Sequence, residues 1–242
     1  MYNFPVRKER AWNELRPIVL EPDYLKDPEG SCLVKYGETW VLCTATVSEG
    51  APFWLSGGGQ GWVTAEYALL PRAVPERKER RQGGREKEIA RMIGRSLRAG
   101  VDLRALEGFT ITLDCDVIQA DGGTRAASVT GGFVALVRAL EHMKRVGILD
   151  RLPVREFLAG VSVALVGKQI FLDPDYNEDV NAMADANFVI SEKGNLAEVQ
   201  VSSEEGLLEP GMVARMLEIA TPAAGEITGK QKEALKHGRH KP

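Results

Sequence analysis

"FTITLDCDVIQADGGTRAASVTGGFVAL", residues 109–136, changes its period in the middle. Phe109, Ile111, Leu113, Cys115 and Val117 fall on one face, and Thr110, Thr112, Asp114 and Asp116 on the other, which is the spacing of a half-buried strand. After Asp121-Gly122-Gly123 the apolar positions become Val129, Phe133, Leu136, Val137 and Leu140, which predicts a helix over about 125–145. A strand that passes through a glycine turn into a helix is a unit of a mixed α/β fold.

The turn invites an anion. Glycines let the backbone approach a ligand, and a helix N-terminus offers free N–H groups and partial positive charge. Thr124 adds a hydroxyl, and Arg125 a planar fork that matches phosphate oxygens. A plain turn, with Thr124 as helix cap and Arg125 on the surface, accounts for the same residues. Both readings stay open on these residues alone.

Outward from this stretch, strands and helices follow in order. "SCLVKY" and "TWVLCTATV" make a hairpin about Gly37-Glu38. "SGGGQGWVTAEYALLP", 56–71, begins as a glycine loop and becomes a strand. The segment from Pro71 to Gly84 has no period and is a loop. A helix then starts near Arg85, with Ile89, Met92, Ile93, Leu97 and Val101 at helical spacing. Beyond Pro153 the plan begins again. "GVSVALV" with "QIFLD", and "ANFVIS" with "LAEVQVS", predict two more hairpins, and two helices are expected at roughly 210–220 and 224–236. The expectation is an α/β (α+β) fold in two similar halves with mixed sheets and packed helices. The halves are residues 1–150 and 151–242 of one compact unit.

Composition sets bounds on function. The 242 residues are 44% hydrophobic and 27% charged, as in a globular chain able to bury roughly 70–75% of its unfolded surface. Cys32, Cys43 and Cys115 have no CxxC spacing and sit in strand-like runs, so they read as buried thiols of a reducing cytoplasm. His142, His237 and His240 form no ligand pattern. Neither a signal peptide nor an apolar run long enough to span a membrane is present. The net charge of −3 argues against indiscriminate nucleic-acid binding. The segment "PRAVPERKERRQGGR", 71–85, is nevertheless locally basic, with Arg72, Arg77, Lys78, Arg80, Arg81 and Arg85. A solvated charge run is its default meaning, but its excess of arginine over lysine suits a phosphate backbone.

Carboxylates supply the other chemistry. "YNEDVNAMADAN", 176–187, carries Glu178, Asp179 and Asp185. Asp179 and Asp185 could hold a hard divalent cation, or they could be solvated loop acids. Asp114 and Asp116 share a strand face and read first as structural or solvent-facing.

Together "GWVTAEYALLPR", "QGGREKEIARMIGRSLRAGVDL", the stretch from Phe109 to Leu136 and the acids of 178–185 resemble bacterial ribonuclease PH. The resemblance runs from about Leu15 to Ala234. It implies a phosphate-dependent 3′→5′ exoribonuclease that trims extra 3′ nucleotides from tRNA precursors, with a ribosomal S5 domain 2-like fold. It implies a homo-hexameric ring, a trimer of dimers. It also implies phosphate held by Arg85, Gly123, Thr124 and Arg125, and an acidic pair, Asp179 and Asp185, that holds magnesium and takes part in catalysis with Arg125. Arg72, Arg77, Arg80 and Arg81 are the expected RNA contacts. Two alternatives keep the same fold: a catalytic subunit of an exosome-like ring acting on general RNA, and a non-catalytic RNA-binding ring subunit. Three stretches depart from the family pattern. "VRKERAWNELRP" lacks the Asp-Gly of an R-x-D-G-R opening, and "AVPERKER" replaces a threonine-histidine stretch in a shortened loop. Val and Asn follow the first acid where small residues are usual.

Overall fold

A computed structural model describes residues 7, 10–55, 57–80 and 83–237. The first sheet contains β1 (Ile18–Pro22), β2 (Gly30–Tyr36), β3 (Thr39–Glu49), β4 (Trp62–Leu69) and β5 (Phe109–Gln119), in the order β1-β2-β3-β5-β4. Its ladders are antiparallel except that β4 runs parallel to β5, reached through helix α1 (Gly84–Ala99). The second sheet is antiparallel and contains β6 (Leu158–Val166), β7 (Gln169–Leu172), β8 (Ala184–Ser191) and β9 (Leu196–Ser203), in the order β7-β6-β8-β9.

Helix α2 (Thr124–Arg145) lies between the two sheets. The apolar stripe expected on it is only part of what is buried. Ala126 through Leu140 is buried on every side, because one flank meets the first sheet and another meets β6. Glycines permit the approach. A side chain at Gly30 or Gly131 would strike Ala135 or Val34, and one at Gly160 would come within 2.5 Å of the Ala126 carbonyl. A single apolar cluster therefore runs from Cys32 and Val34 through Phe133 and Leu136 to Phe188 and Ile227.

Three elements differ from expectation. β1 was not anticipated: flanking prolines obscure a short strand, and an edge position tolerates them. The acidic loop contains a helical turn, α3 (Tyr176–Val180), whose Asp175 and Glu178 form a capping box. Their spacing is an N-terminal helix signal. The chain closes on one helix, α4 (Pro210–His237), not two. Pro222 removes one intrahelical bond, to the Glu218 carbonyl, but both residues are exposed, so water can take the donor's place. On the opposite side Ala220, Ala223, Ala224 and Ile227 are buried and hold the helix across the break. Among the described residues no helix is long and apolar enough to cross a membrane.

Candidate active site

The glycine turn is conformationally constrained. Gly122 and Gly123 have φ of +72° and +67°, a region side chains disfavour. A Cβ on Gly122 would also lie 2.5 Å from the Pro174 carbonyl. Gly123, not Thr124, is the helix cap, and no side chain caps the helix, so its first amides stay available. Thr124 is the first helical residue, and its hydroxyl meets the Tyr67 hydroxyl at 2.9 Å. Arg125 donates from Nη1 to Gln200 Oε1 of the second sheet at 3.2 Å. Thr124 is therefore not the cap that the plain-turn alternative assigned to it, and Arg125 turns to the second sheet.

The second half brings its carboxylates to this helix end. The Tyr176 amide donates to Asp121 Oδ1 at 3.1 Å, which docks α3 against the glycine turn. α3 carries Asp179, and Asp185 stands on β8, where Asn187 Nδ2 donates to its Oδ2 at 3.2 Å. Desolvation raises the carboxyl pKa of Asp179, and the charge of Asp185 raises it further, while Arg85, Arg125 and Arg16 oppose the shift. Asp185 is likewise raised, by desolvation first and also by Glu204, against Arg125 and Arg85. Desolvation raises the Tyr67 phenol, with Thr124, Arg85 and Arg125 opposing. Arg85, exposed at the start of α1, thus acts on the same groups as Arg125. Arg85, Thr124, Arg125, Asp179 and Asp185, expected from sequence, therefore come to one place. Two hard carboxylates that repel each other fit a divalent cation completed by water and ligand oxygens. No group of three or more His, Cys, Asp or Glu suited to a metal occurs among the described residues.

Sequence reasoning missed the residues that hold this arrangement. Arg7 Nε and Nη2 grip the Glu178 carboxylate at 2.5 and 2.8 Å, and its Nη2 also donates to the Leu172 carbonyl. Arg10 donates to the Asp173 carbonyl at 2.6 Å. Arg16 binds both oxygens of buried Asp173 and donates to the Asp121 carbonyl at 2.5 Å. The N-terminal stretch that lacks Asp-Gly thus ties the acidic segment to the glycine turn with arginines. Tyr67 lies in a quoted motif, but nothing in its spacing marks it. Asn187 and Gln200 alternate with apolar neighbours like any strand residues.

Other candidates lie elsewhere. Arg72, Arg77 and Arg80 are exposed in the basic loop, and Arg81 lies outside the described residues. A cavity of about 150 Å³ separates that loop from β4 and is lined by Leu69, Pro71, Lys78, Arg80, Glu86 and Asp116. Asp114 and Asp116 occupy the strand face opposite the residues that pack against α2. The three cysteines are buried and unpaired, and burial pushes the Cys32 thiol up to about 12.

The pattern of the 3′ exoribonuclease family, domain 1, matches residues 14–140, and that of domain 2 matches residues 156–223. A protein of Rhodospirillum rubrum named ribonuclease PH is 46% identical over 231 residues, covering 93% of this chain and 96% of that protein. An Archaeoglobus fulgidus exosome structure with RNA bound to the active site superposes with a TM-score of 0.81 at 25% identity, over 91% of this chain and 90% of that one. Rice Rrp46 gives a TM-score of 0.77 at 18% identity, over 94% and 98% of the two chains, a likeness of fold alone.

Proposed function

The chain belongs to the 3′ exoribonuclease family as a relative of ribonuclease PH, and on that premise we propose how it works and on what. It is a phosphorolytic 3′→5′ exoribonuclease. Its proposed substrates are tRNA precursors with extra 3′ nucleotides. The observation that carries the assignment is the docking of α3 on the glycine turn through Tyr176 and Asp121, which sets cations and carboxylates around one helix end.

Phosphorolysis brings two anions together, so cations must face both. In the proposed site the amides of Gly123 and Thr124, the Thr124 hydroxyl, Arg125 and Arg85 hold inorganic phosphate. A phosphate oxygen attacks the terminal phosphodiester. A bond to phosphorus forms as the bond to the 3′ oxygen of the preceding nucleotide breaks, and a nucleoside diphosphate leaves. The proton lost by hydrogen phosphate equals the one gained by the leaving 3′ hydroxyl. Asp185, held on β8 by Asn187, is the group proposed to pass it. Asp179 and Asp185 would hold magnesium, which when bound neutralises charge developing on the phosphoryl oxygens. The division of labour is proposed as phosphate held by residues of 1–150 and acids supplied by 151–242.

Arg72, Arg77, Arg80 and Arg81 are the proposed RNA contacts. A homo-hexameric ring, a trimer of dimers in the cytoplasm, completes the proposal. The likeness to an Archaeoglobus fulgidus exosome supports assembly into a larger particle, and the free buried thiols support a reducing compartment. An exosome-like subunit acting on general RNA is the second reading, and the Archaeoglobus likeness favours it. The test incubates the protein with a tRNA bearing extra 3′ nucleotides and with unstructured RNA, each with and without phosphate. Phosphate-dependent nucleoside diphosphate from the tRNA in preference supports the first reading, equal release from both the second. No diphosphate from either defeats both.

A further inference from the structure

Ser162 on β6, Asn187 on β8 and Gln200 on β9 are successive cross-strand partners, one polar row across the second sheet. The row lies by the start of α2, where a Cβ on Gly123 would stand 3.8 Å from Ser162 Oγ. Its hydrogen bonds have fixed directions. Ser162 Oγ donates to Asn187 Oδ1 at 3.0 Å, so the Asn187 amide nitrogen turns to Asp185 Oδ2. A guanidinium can only donate, so the Gln200 oxygen is the end that meets Arg125. Two adjacent amides thus hold opposite charges, one each.

Asn187 and Gln200 face each other across β8 and β9, so Asp185 and Arg125 are held by neighbouring side chains. Yet among the described residues no ion pair joins Arg125 to Asp185 or Asp179. Opposite charges held by neighbouring side chains would otherwise close on each other. The resulting pair would cancel the charge that attracts phosphate and would occupy the carboxylate needed for a cation. A neutral amide oxygen orients the guanidinium through one N–H and leaves its charge uncompensated.

We propose that Asn187 and Gln200 are positioning residues, a pair of neutral amides that holds Asp185 and Arg125 apart so that inorganic phosphate meets an uncompensated guanidinium. The inference rests on the assignment of Arg125 to phosphate and Asp185 to the acidic pair.

Gln200→Glu keeps the shape and gives Arg125 a charged partner. Its apparent KM for phosphate should rise about tenfold or more, with kcat held within about threefold. Gln200→Met, neutral and of similar length, should raise that KM less. Asn187→Leu should show the opposite split, a kcat lowered about tenfold at an unchanged phosphate KM. The rise in Tm on adding inorganic phosphate needs no turnover, and it should be smaller for Gln200→Glu than for the parent. A Gln200→Glu protein that takes phosphate as the parent does would overturn the inference. So would a Gln200→Glu protein whose kcat falls as far as its phosphate KM rises, or an Asn187→Leu protein whose lowered kcat is matched by a lowered folded fraction in its thermal melt. If the parent itself released no nucleoside diphosphate, the proposed function would fall, and the phosphate-induced thermal shift would still decide the role of the amides.

Discussion

Asp121 accepts a hydrogen bond from the backbone amide of Tyr176 at 3.1 Å, and through it the strand-to-helix turn of one sheet holds the short acidic helix of the other. Asp121 is also 3.7 Å from Arg16, whose guanidinium binds buried Asp173. One carboxylate therefore links the glycine turn, the N-terminal arginines and α3.

Asp121→Ala removes that link. The expected result is a kcat lowered about tenfold or more, with a stability loss of only about 1–2 kcal/mol for the hydrogen bonds removed. Single-turnover rates and thermal melts measure the two effects. An unchanged rate would show that α3 keeps its place without Asp121.

Glu178 does structural work that its neighbour Asp179 does not. It is 2% exposed, caps α3 and pairs with Arg7, itself 6% exposed. Glu178→Ala leaves a buried guanidinium without its carboxylate, which is expected to cost about 3–5 kcal/mol. Denaturant titration should show it, and activity should fall with it because Asp179 rides on the same helix. Stability equal to the parent's would mean that Arg7 finds another partner.

The raised carboxyls of Asp179 and Asp185 make stability depend on pH in a defined direction. The folded protein binds these protons more tightly than the unfolded chain does. Their contribution is therefore most favourable below the ordinary aspartate value of about 3.9, and it declines as pH rises through the raised folded values. Asp179→Asn and Asp185→Asn should accordingly melt above the parent near neutral pH, by a margin that shrinks on acidification. They should also lose about 10²-fold or more in kcat. A margin that grew on acidification would contradict the sign.

Arg125→Ala should raise the phosphate requirement about 10²-fold, as expected for loss of a charge-assisted bidentate contact. Initial rates over a wide phosphate range would reveal it. The same KM as the parent would remove Arg125 from the phosphate site.

Neutralising Arg72, Arg77 and Arg80, all exposed, together with Arg81, should weaken RNA binding and leave the phosphate KM alone. Each lost phosphate contact should flatten the slope of log affinity against log salt by about 0.7 on single-stranded RNA. Filter binding at several salt concentrations gives the slope. If it does not change, the loop is only a solvated charge run.

Much of this protein was legible in its residues. The alternation of 109–117 and the helical spacing after Gly123 give β5 and α2 nearly at their observed limits, because those patterns report which side faces a core. The hairpins about Gly37, Gly167 and Gly194 were readable too, each turning on a glycine with positive φ. Pro222 misled, since local rules break a helix there and tertiary burial on the far side outweighs them.

By itself the sequence determined the fold class, the order of elements and the identity of the chemical groups: a glycine turn with Thr124 and Arg125, an Arg85 at a helix start, and acids at 179 and 185. Those follow from period, turn chemistry and charge, which are properties of neighbours along the chain. Only the tertiary structure decided that α2 would be shared by both sheets and that Arg7, Arg10 and Arg16 would bind the acidic segment. It alone set Asn187 and Gln200 side by side between opposite charges. Such contacts join residues up to 171 positions apart, as Arg7 and Glu178 are. No local pattern encodes them, because they exist only once burial has brought the strands and helices into register.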